Sequence, residues 1–242
     1  KIYGITVEGF GKEHATKGGS YDTGKAIVEE VYGGIAPIPV PYDTINLKGD
    51  NQKMSSSLGN LITIQDSLKI IPPEILRYFV FRYLPNKQLD FDPGLGLYNL
   101  MDEVARVQEE GENSEFYNAW SLAKLREDKS TVVAVPFSHL VELWQTSLGD
   151  LILFTELLSK THKKVVDSHK KVLEEEVKYI QNWLENYAPE NIKFTLLKDR
   201  PIVYIDKDCS EFLKVLHDTL HNVEWNGDII HNTIYNTAKS LD

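Results

Sequence analysis

Two stretches of the sequence combine residue types that suit the binding of a phosphorylated ligand. The first, GKEHATKGGSYDTG at residues 11–24, follows a strand-like segment and is rich in glycine. Glycine permits close approach of the backbone to a ligand, and open parallel sheets bind ligands at the carboxyl ends of their strands. Glu13 and His14 can hydrogen-bond ribose hydroxyls or an amino-acid substrate. The candidate binding residues of this stretch are Gly11, Glu13, His14, Gly18 and Gly19.

The second stretch, NQKMSSSLGN at residues 51–60, brings one cation together with three consecutive serines. Serine hydroxyls and loop amides can donate to phosphate oxygens, and Lys53 adds a positive charge. Such a loop suits the charge that develops on a departing phosphate group. A solvent-exposed serine-rich turn explains the same composition equally well, so the residue types alone leave both interpretations open.

The first hundred residues alternate strand and helix patterns. YGITVEGFG predicts a buried strand, SYDTGKAIVEEVYGG predicts a helix with Ser20 as N-cap and Gly33 as its stop, and PIPVPYDTINL predicts an extended segment. This order favours an open parallel α/β sheet. PPEILRYFVFRYL then predicts a helix that begins at proline. The apolar stripe of that helix is expected at Ile75, Leu76, Phe79, Val80 and Tyr83.

Helical periodicity continues through the rest of the chain, in segments that begin near residues 92, 136, 151, 169, 210 and 228. A polar, highly charged stretch at residues 109–130 separates the two regions and is the best candidate for a linker or insertion. The predicted fold class is therefore α/β followed by all-α.

Composition indicates a folded chain that does not enter a membrane. Hydrophobic residues make up 42% of the 242 positions, and no run reaches the ~18 apolar residues of a membrane span. The single cysteine, Cys209, excludes an internal disulfide and favours a reducing cytoplasm. The chain begins with Lys1 rather than Met, and its last helix has no terminator. We therefore expect a piece of a larger gene product.

Acidic residues outnumber basic ones by 36 to 26, which gives a net charge of −10. A polyanionic partner must therefore be met by a local basic patch. The densest basic stretch is THKKVVDSHKK at residues 161–171. A solvated linker between helices is the favoured interpretation of it, and contact with nucleic-acid phosphates is the alternative. The lysines that would make such contacts are Lys163, Lys164, Lys170 and Lys171.

The other conspicuous residues carry weaker signals. We expect most of the four tryptophans to lie in the core rather than to stack on bases. No metal site is assigned, because the isolated histidines show no ligand arrangement. These are His139, His217, His221 and His231.

KMSSSLGNLIT, at residues 53–63, resembles the KMSKS loop of class I aminoacyl-tRNA synthetases, and PPEILRYFVFRYLP resembles the helix that follows it in that family. The resemblance implies that the loop closes on the triphosphate of ATP, a substrate used with Mg²⁺, and stabilises the departing pyrophosphate. Lys53 matches the first lysine of the motif, whereas Ser56 stands where the second lysine is usual. The catalytic residues implied are Lys53, Ser55, Ser56 and Ser57, and Met54 joins the implied ATP contacts.

GKEHATKGGSYDTG is similar to the nucleotide-side motif of the class I lysyl-tRNA synthetases, and KQLDFDPGLGLYNLMDE and VPFSHLVELWQ are similar to downstream segments of that family. The resemblance implies ATP contacts from Gly11, Glu13, His14, Gly18 and Gly19. It places the lysine pocket at His14 and Tyr42. A buried, hydrogen-bonded histidine and a core tyrosine are the alternative for these two positions. Glu13 replaces the aspartate that is usual in the family.

The resemblance implies a lysine–tRNA ligase, which activates lysine with ATP and transfers it to tRNA(Lys). The family also needs a His-Ile-Gly-His or His-Ile-Gly-Asn motif, and none occurs here. We therefore expect the carboxyl-terminal part of such an enzyme, inactive without the amino-terminal half. A non-catalytic RNA-binding fragment or paralogue and a class I synthetase for glutamate or cysteine are the alternatives.

The resemblance also divides the chain into four expected regions. Residues 1–66 would form the second half of a Rossmann-type catalytic sheet with the serine-rich loop, and residues 67–108 would form stem-contact helices. Residues 109–130 would be the linker or insertion. Residues 131–242 would form a truncated helical anticodon-binding domain, with the lysines of residues 161–171 as its candidate tRNA contacts.

Overall fold

The computed structural model describes residues 4–48, 61–125, 131–195 and 205–241, and the chain divides into two compact units, Lys1–Thr195 and Leu196–Asp242. The strands of the first unit are β1 (Val7–Gly11), β2 (Ile38–Tyr42), β3 (Ile45–Leu47) and β4 (Leu89–Phe91). Its α-helices are α1 (Ser20–Ala26), α2 (Ile64–Ile70), α3 (Pro73–Phe81), α4 (Leu95–Glu110), α5 (Tyr117–Ala123), α6 (Phe137–Thr146) and α7 (Leu151–Asn186). The second unit contains α8 (Lys207–Leu220) and α9 (Gly227–Leu241). A mixed α/β part followed by helices agrees with the predicted fold class.

The amino-terminal part of the first unit is a parallel strand pair. β1 and β2 pair in parallel over their whole length, and α1 lies in the crossover connection that a parallel pair requires. Tyr21 fixes α1 to the strands. Its ring stacks on Phe10 with centroids 4.9 Å apart, and its hydroxyl donates to the carbonyl oxygen of Pro37 at 2.6 Å. The predicted parallel pairing is confirmed.

The burial predicted for the first strand is wrong. Val7 in β1 is 54% exposed and Ile38 in β2 is 65% exposed. Within the described residues each of these strands has one hydrogen-bonded neighbour, so the pair forms a narrow ribbon rather than the centre of a wide sheet. A ribbon of two strands leaves much of its apolar surface in water.

The helix after β1 begins one residue earlier than predicted. Gly19, not Ser20, is the N-cap residue of α1, and no side chain caps the helix. The helix continues as a π-helical turn over Ile27–Val31. Gly33 then takes a positive φ of 57°, a conformation that glycine adopts without steric cost, and so acts as the predicted stop.

A second parallel pair links the strand region to the helices. β3 and β4 pair over three residues, and Asp43 before β3 donates its amide to the carbonyl oxygen of Pro85 at 2.9 Å. Thr63 caps α2, since its hydroxyl oxygen accepts the amide hydrogen of Asp66 at 3.0 Å. Pro73 lies in the first turn of α3, where its missing amide hydrogen costs nothing, as the sequence predicts.

The buried face of α3 differs from the predicted stripe. Ile75 and Phe79 are buried as expected, but Val80 is 40% exposed and Tyr78 takes its place in the core. The hydroxyl of Tyr78 donates to Glu103 on α4 at 2.5 Å. A buried hydroxyl with a hydrogen-bond partner is stable in the core, so the pattern of apolar residues alone did not reveal this face.

Aromatic side chains hold the helices of the first unit together. Trp183 on α7 stacks on Tyr98 of α4 with centroids 5.3 Å apart and meets Phe137 of α6 edge-on at 5.6 Å. Trp120, Trp144 and Trp183 are buried, which confirms the core location expected for most tryptophans. Trp225 in the second unit is 77% exposed.

The described part of residues 109–130, the expected linker or insertion, packs against the helices of the first unit. It contains α5, whose Trp120 is 2% exposed and contacts Tyr78 edge-on at 6.2 Å. Arg77 of α3 donates to the carbonyl oxygens of Ala123 at 2.8 Å and Leu122 at 2.9 Å. The division between the two compact units falls later, after Thr195.

The basic stretch at residues 161–171 coincides with the kinked part of α7, where helical segments meet at non-helical residues rather than through an extended linker. α7 extends over 36 residues and is interrupted only by non-helical dihedral angles at His162 and His169. Asp150 caps its start by accepting the amide hydrogens of Ile152 at 2.8 Å and Leu153 at 3.1 Å.

The second unit contains the two helices predicted from the sequence, and the structure packs them against each other. Asp206 caps α8 by accepting the amide hydrogen of Cys209 at 2.7 Å. Across the described ranges of both units, no helix is long and apolar enough to cross a membrane.

Candidate active site

A cleft of about 520 Å³ opens at the carboxyl ends of β1 and β2. This is the edge of a parallel strand pair at which ligands bind in open α/β sheets. Four residues predicted from the sequence line it, although they come from separate parts of the chain: Gly11, Glu13, His14 and Tyr42. Asp43 and Thr44 complete the polar part of the lining.

A short 3₁₀ turn, Lys12–Ala15, places Glu13 and His14 at the cleft. The turn follows directly on β1, and Gly11 makes room for it. A Cβ atom at Gly11 would lie 2.7 Å from Oε2 of Glu13, closer than non-bonded atoms allow. The absence of a side chain at Gly11 therefore lets the Glu13 carboxylate fold back over the backbone.

Gly19 is required for the same loop to close. A Cβ atom there would lie 2.6 Å from the carbonyl oxygen of His14 and 2.8 Å from that of Thr16, and both are backbone atoms that cannot swing away. The amide of Gly19 donates to the Thr16 carbonyl at 2.7 Å. Gly18 takes a positive φ of 77° and donates its amide to Asp22 at 2.9 Å. Neither Gly18 nor Gly19 is among the residues that line the cleft, so in this structure their contribution is to shape the loop.

His14 and Tyr42 both present their side chains to solvent. His14 is exposed, and Tyr42 is 51% exposed. The alternative of a buried, hydrogen-bonded histidine and a core tyrosine is therefore wrong. Both side chains are accessible to a ligand in the cleft.

Sequence reasoning missed the ion pair that joins the two strand ends. Nζ of Lys12 lies 2.6 Å from Oδ2 of Asp43, and the amide of Thr44 donates to Oδ1 of Asp43 at 2.7 Å. The hydrogen bond from Lys12, followed by that from the Thr44 amide, holds the pKa of Asp43 below its ordinary value. An aspartate directly after a strand end, in PYDT, was the available signal.

The serine-rich loop lies outside the described residues, and with it Lys53, Met54, Ser55, Ser56 and Ser57. The strand before it ends in a well-defined contact. Nζ of Lys48 lies 3.0 Å from Oδ2 of Asp92, which also accepts the amide hydrogen of Gly96 at 2.9 Å. Burial raises the pKa of Asp92, but these hydrogen bonds outweigh burial and hold the pKa below its ordinary value.

The four lysines of the basic stretch on α7 are exposed to solvent, at positions Lys163, Lys164, Lys170 and Lys171. Val165 and Val166 are half-buried against the core of the first unit. The stretch is therefore anchored by its apolar side chains while its ammonium groups point to water.

Metal ligands do not cluster in the parts of the chain that the structure describes. No group of three or more histidine, cysteine, aspartate and glutamate side chains there could hold an ion.

A parallel strand pair with a cleft at its carboxyl ends, followed by a helical body, is typical of nucleotide-binding α/β enzymes. The family model of the class I tRNA synthetases, in the branch described as "tRNA synthetases class I (K)", matches residues 1–130. This chain belongs to that family.

Named relatives agree with this family. The chain is 37% identical over 241 residues to a lysine–tRNA ligase of Thermoplasma volcanium, covering 98% of this chain and 47% of that protein. It is 35% identical over 242 residues to the lysine–tRNA ligase of Archaeoglobus fulgidus, and the match covers 100% of this chain and 47% of that protein. It is 30% identical over 249 residues to the lysine–tRNA ligase of Pyrococcus horikoshii, and the match covers 98% of this chain and 48% of that protein. The chain thus spans about half the length of the curated relatives that it matches.

Proposed function

We propose that this chain is part of a lysine–tRNA ligase that activates lysine with ATP and transfers the lysyl group to tRNA(Lys). One observation carries the proposal. Glu13, His14 and Tyr42, which the family resemblance selects, converge on a single cleft at the carboxyl ends of β1 and β2. Relatives named lysine–tRNA ligase over nearly the whole of this chain support the same substrate.

In the proposed reaction, the lysine carboxylate attacks the α-phosphorus of ATP, and the bond to pyrophosphate breaks. Tyr42 and His14 are assigned to the lysine pocket, where they would contact the amino acid as hydrogen-bonding groups. Glu13 is assigned to the ribose of ATP or to the amino acid. Holding both substrates in one cleft lowers the entropic part of the barrier.

Lys53 and the serines Ser55, Ser56 and Ser57 are assigned to the departing pyrophosphate. A cation and hydroxyl donors aimed at this group would favour the transition state over bound ATP, because negative charge accumulates on the leaving oxygen. ATP is used with Mg²⁺, an ion that typically keeps several waters and binds substrate phosphates. Since the described residues hold no cluster of three metal ligands, no residue of this chain is assigned to Mg²⁺.

The domain roles follow from the same proposal. Residues 1–66 are assigned to the second half of a Rossmann-type catalytic domain, residues 67–108 to stem contact and residues 131–242 to anticodon binding. Residues 131–195 share a compact unit with the preceding helices, so the part after Thr195 is the more separate one. The exposed lysines of residues 161–171 are assigned to tRNA phosphates, because the overall charge of −10 repels RNA elsewhere. A cytoplasmic location is part of the same proposal.

Lysine-dependent ATP–pyrophosphate exchange by the full-length protein tests the function. We expect exchange with lysine and not with glutamate or cysteine, and no exchange by the 242-residue chain alone, because half of the nucleotide site is expected in the preceding sequence. Exchange by the isolated chain would contradict the expected division of the site. Absence of lysine-dependent exchange from the full-length protein would contradict the function. The gene upstream of Lys1 separates the alternatives independently, since a His-Ile-Gly motif there would support the ligase and a start codon close to Lys1 would support the non-catalytic paralogue.

A further inference from the structure

We infer that Asp43 is a positioning residue that makes the cleft selective for a cationic amino acid by holding the ammonium group of Lys12 away from Glu13. The inference rests on the proposed function and extends it to the control of charge in the lysine pocket. Asp43 acts through Lys12 and needs no contact with the substrate.

The ion pair follows from the strand register. Gly11 pairs with Tyr42 across the parallel ribbon, so Lys12 and Asp43 leave β1 and β2 side by side. Nζ of Lys12 meets Oδ2 of Asp43 at 2.6 Å. The side chain of Asp43 is 8% exposed and is fixed by the amide of Thr44, whereas that of Lys12 is 61% exposed. The Asp43 carboxylate is therefore fixed in position, and it holds the flexible side chain of Lys12.

The next residue along the chain is the acid of the cleft. Among the described residues Glu13 forms no ion pair, and its carboxylate lies over Gly11 in the cleft lining. Lys12 is adjacent in sequence and has a long flexible stem, so without Asp43 its ammonium group is free to approach Glu13. With Asp43 present, the Glu13 carboxylate keeps its negative charge available to a ligand.

A Lys12 ammonium group released from Asp43 should affect the binding of the two substrates differently. Lysine brings a cationic side chain, so a loose ammonium group beside Glu13 weakens its binding. ATP is a polyanion, so the same ammonium group does not weaken its binding and can strengthen it. A residue that only stabilised the fold would affect both substrates in the same direction.

The test is pyrophosphate exchange by the full-length protein carrying Asp43→Asn, which retains the shape of the side chain and removes its charge. We expect the KM for lysine to rise roughly fivefold, with the KM for ATP unchanged or lower and kcat within about twofold of the parent. The double variant Lys12→Met, Asp43→Asn removes the loose cation as well and should restore the KM for lysine to within about twofold of the parent.

Glu175→Gln is the matched control. It breaks an ion pair of the same length, 2.6 Å, between Glu175 and Lys178 on α7, and neither residue lines the cleft. This control should leave both KM values unchanged. Salt supplies a second check, since the lysine effect of Asp43→Asn should shrink between low and high ionic strength as the charge is screened.

The outcomes separate the inference from the function on which it rests. Equal rises in both KM values, or no recovery in the double variant, would overturn the inference while lysine-dependent exchange by the parent upholds the function. No such exchange by the parent would overturn both. If Asp43→Asn does not fold, the single variant Lys12→Met tests the inference instead, because it removes the cation directly. We expect this variant to have a KM for lysine at or below the parental value. A higher KM would overturn the inference.

Discussion

The indole Nε1 of Trp183 donates a 2.8 Å hydrogen bond to the carbonyl oxygen of Pro93, which ties α7 to the turn before α4. Trp183 is fully buried, so its loss cannot be compensated by water. We predict that Trp183→Phe destabilises the protein by about 2 kcal/mol, because it leaves the partly buried carbonyl of Pro93 without its partner and removes ring contacts. Urea denaturation followed by circular dichroism measures this. Trp225→Phe at a 77% exposed site should change the free energy of unfolding by less than about 0.5 kcal/mol.

Gly19→Ala should distort the cleft, because the new methyl group would meet the His14 carbonyl oxygen at 2.6 Å. We expect a loss of roughly 1 to 3 kcal/mol in stability and a fall in kcat/KM for lysine-dependent exchange. Gly24→Ala in α1 is the control, since nothing lies within 4 Å of its added Cβ. The control should be neutral or more stable by up to about 1 kcal/mol, because alanine favours a helix more than glycine does. Equal effects of the two substitutions would contradict the packing argument.

Glu176 gives the protein a pH-dependent stability. It is 1% exposed, and burial raises its pKa from 4.5 to about 8, while a hydrogen bond from the Val133 amide opposes the rise only in part. The folded state therefore keeps a proton that the unfolded state releases above pH 4.5. Stability should fall as the pH rises through the window from 4.5 to about 8, by at most about 1.4 kcal/mol per pH unit.

Glu176→Gln checks this expectation, because the amide has nearly the same shape and does not titrate. We expect denaturation at pH 5, 6.5 and 8 to show that the free energy of unfolding of the variant increases relative to that of the parent as the pH rises. Glu175→Gln, at an exposed neighbouring position, should keep the pH profile of the parent. Parallel profiles for parent and Glu176→Gln would mean that Glu176 is ionised in the folded protein.

Lys53→Ala in the full-length protein should slow adenylate formation by roughly 100-fold, or about 2.7 kcal/mol, while the KM for lysine changes little. The physical reason is that the cation meets charge that grows only as pyrophosphate leaves. Ser56→Lys restores the common form of the motif and should be tolerated better, because serine and lysine both supply a donor to phosphate. Pre-steady-state adenylate formation at saturating lysine and varied ATP is the measurement. An unchanged rate in Lys53→Ala would assign the loop to a solvent-exposed turn.

Alanine at Lys163 and Lys164, or at Lys170 and Lys171, should weaken tRNA binding and lower the dependence of affinity on salt by up to about 1 logarithmic unit for each phosphate that the variant no longer neutralises. Filter binding across a range of salt concentrations measures both quantities. Alanine at Lys178 and Lys193 removes the same charge from lysines that are already paired with Glu175 and Glu190. This control should leave the salt dependence unchanged. Identical slopes for all variants would mean that the stretch on α7 is a solvated face.

Local features of the chain could be predicted from the sequence. The proline start of α3, the glycine stop at Gly33 and the presence of helices at α8 and α9 depend on residues within a few positions of each other, so local patterns suffice. The resemblance of residues 11–24 and 53–63 to synthetase motifs indicated the family in the same local way, and the family match confirms it.

Burial and pairing across the chain were decided only by the tertiary structure. The polar stretch at residues 109–130 contains the buried Trp120 because Tyr78 and Arg77 of α3 reach it, and no pattern within the stretch records those partners. Val80 is exposed for the converse reason, since none of the described elements covers that side of α3 well enough to bury it. The pairing of Lys12 with Asp43 likewise requires the parallel register of β1 and β2. Sequence determines which segments form helices and strands, but the partner that a side chain meets depends on how distant segments pack.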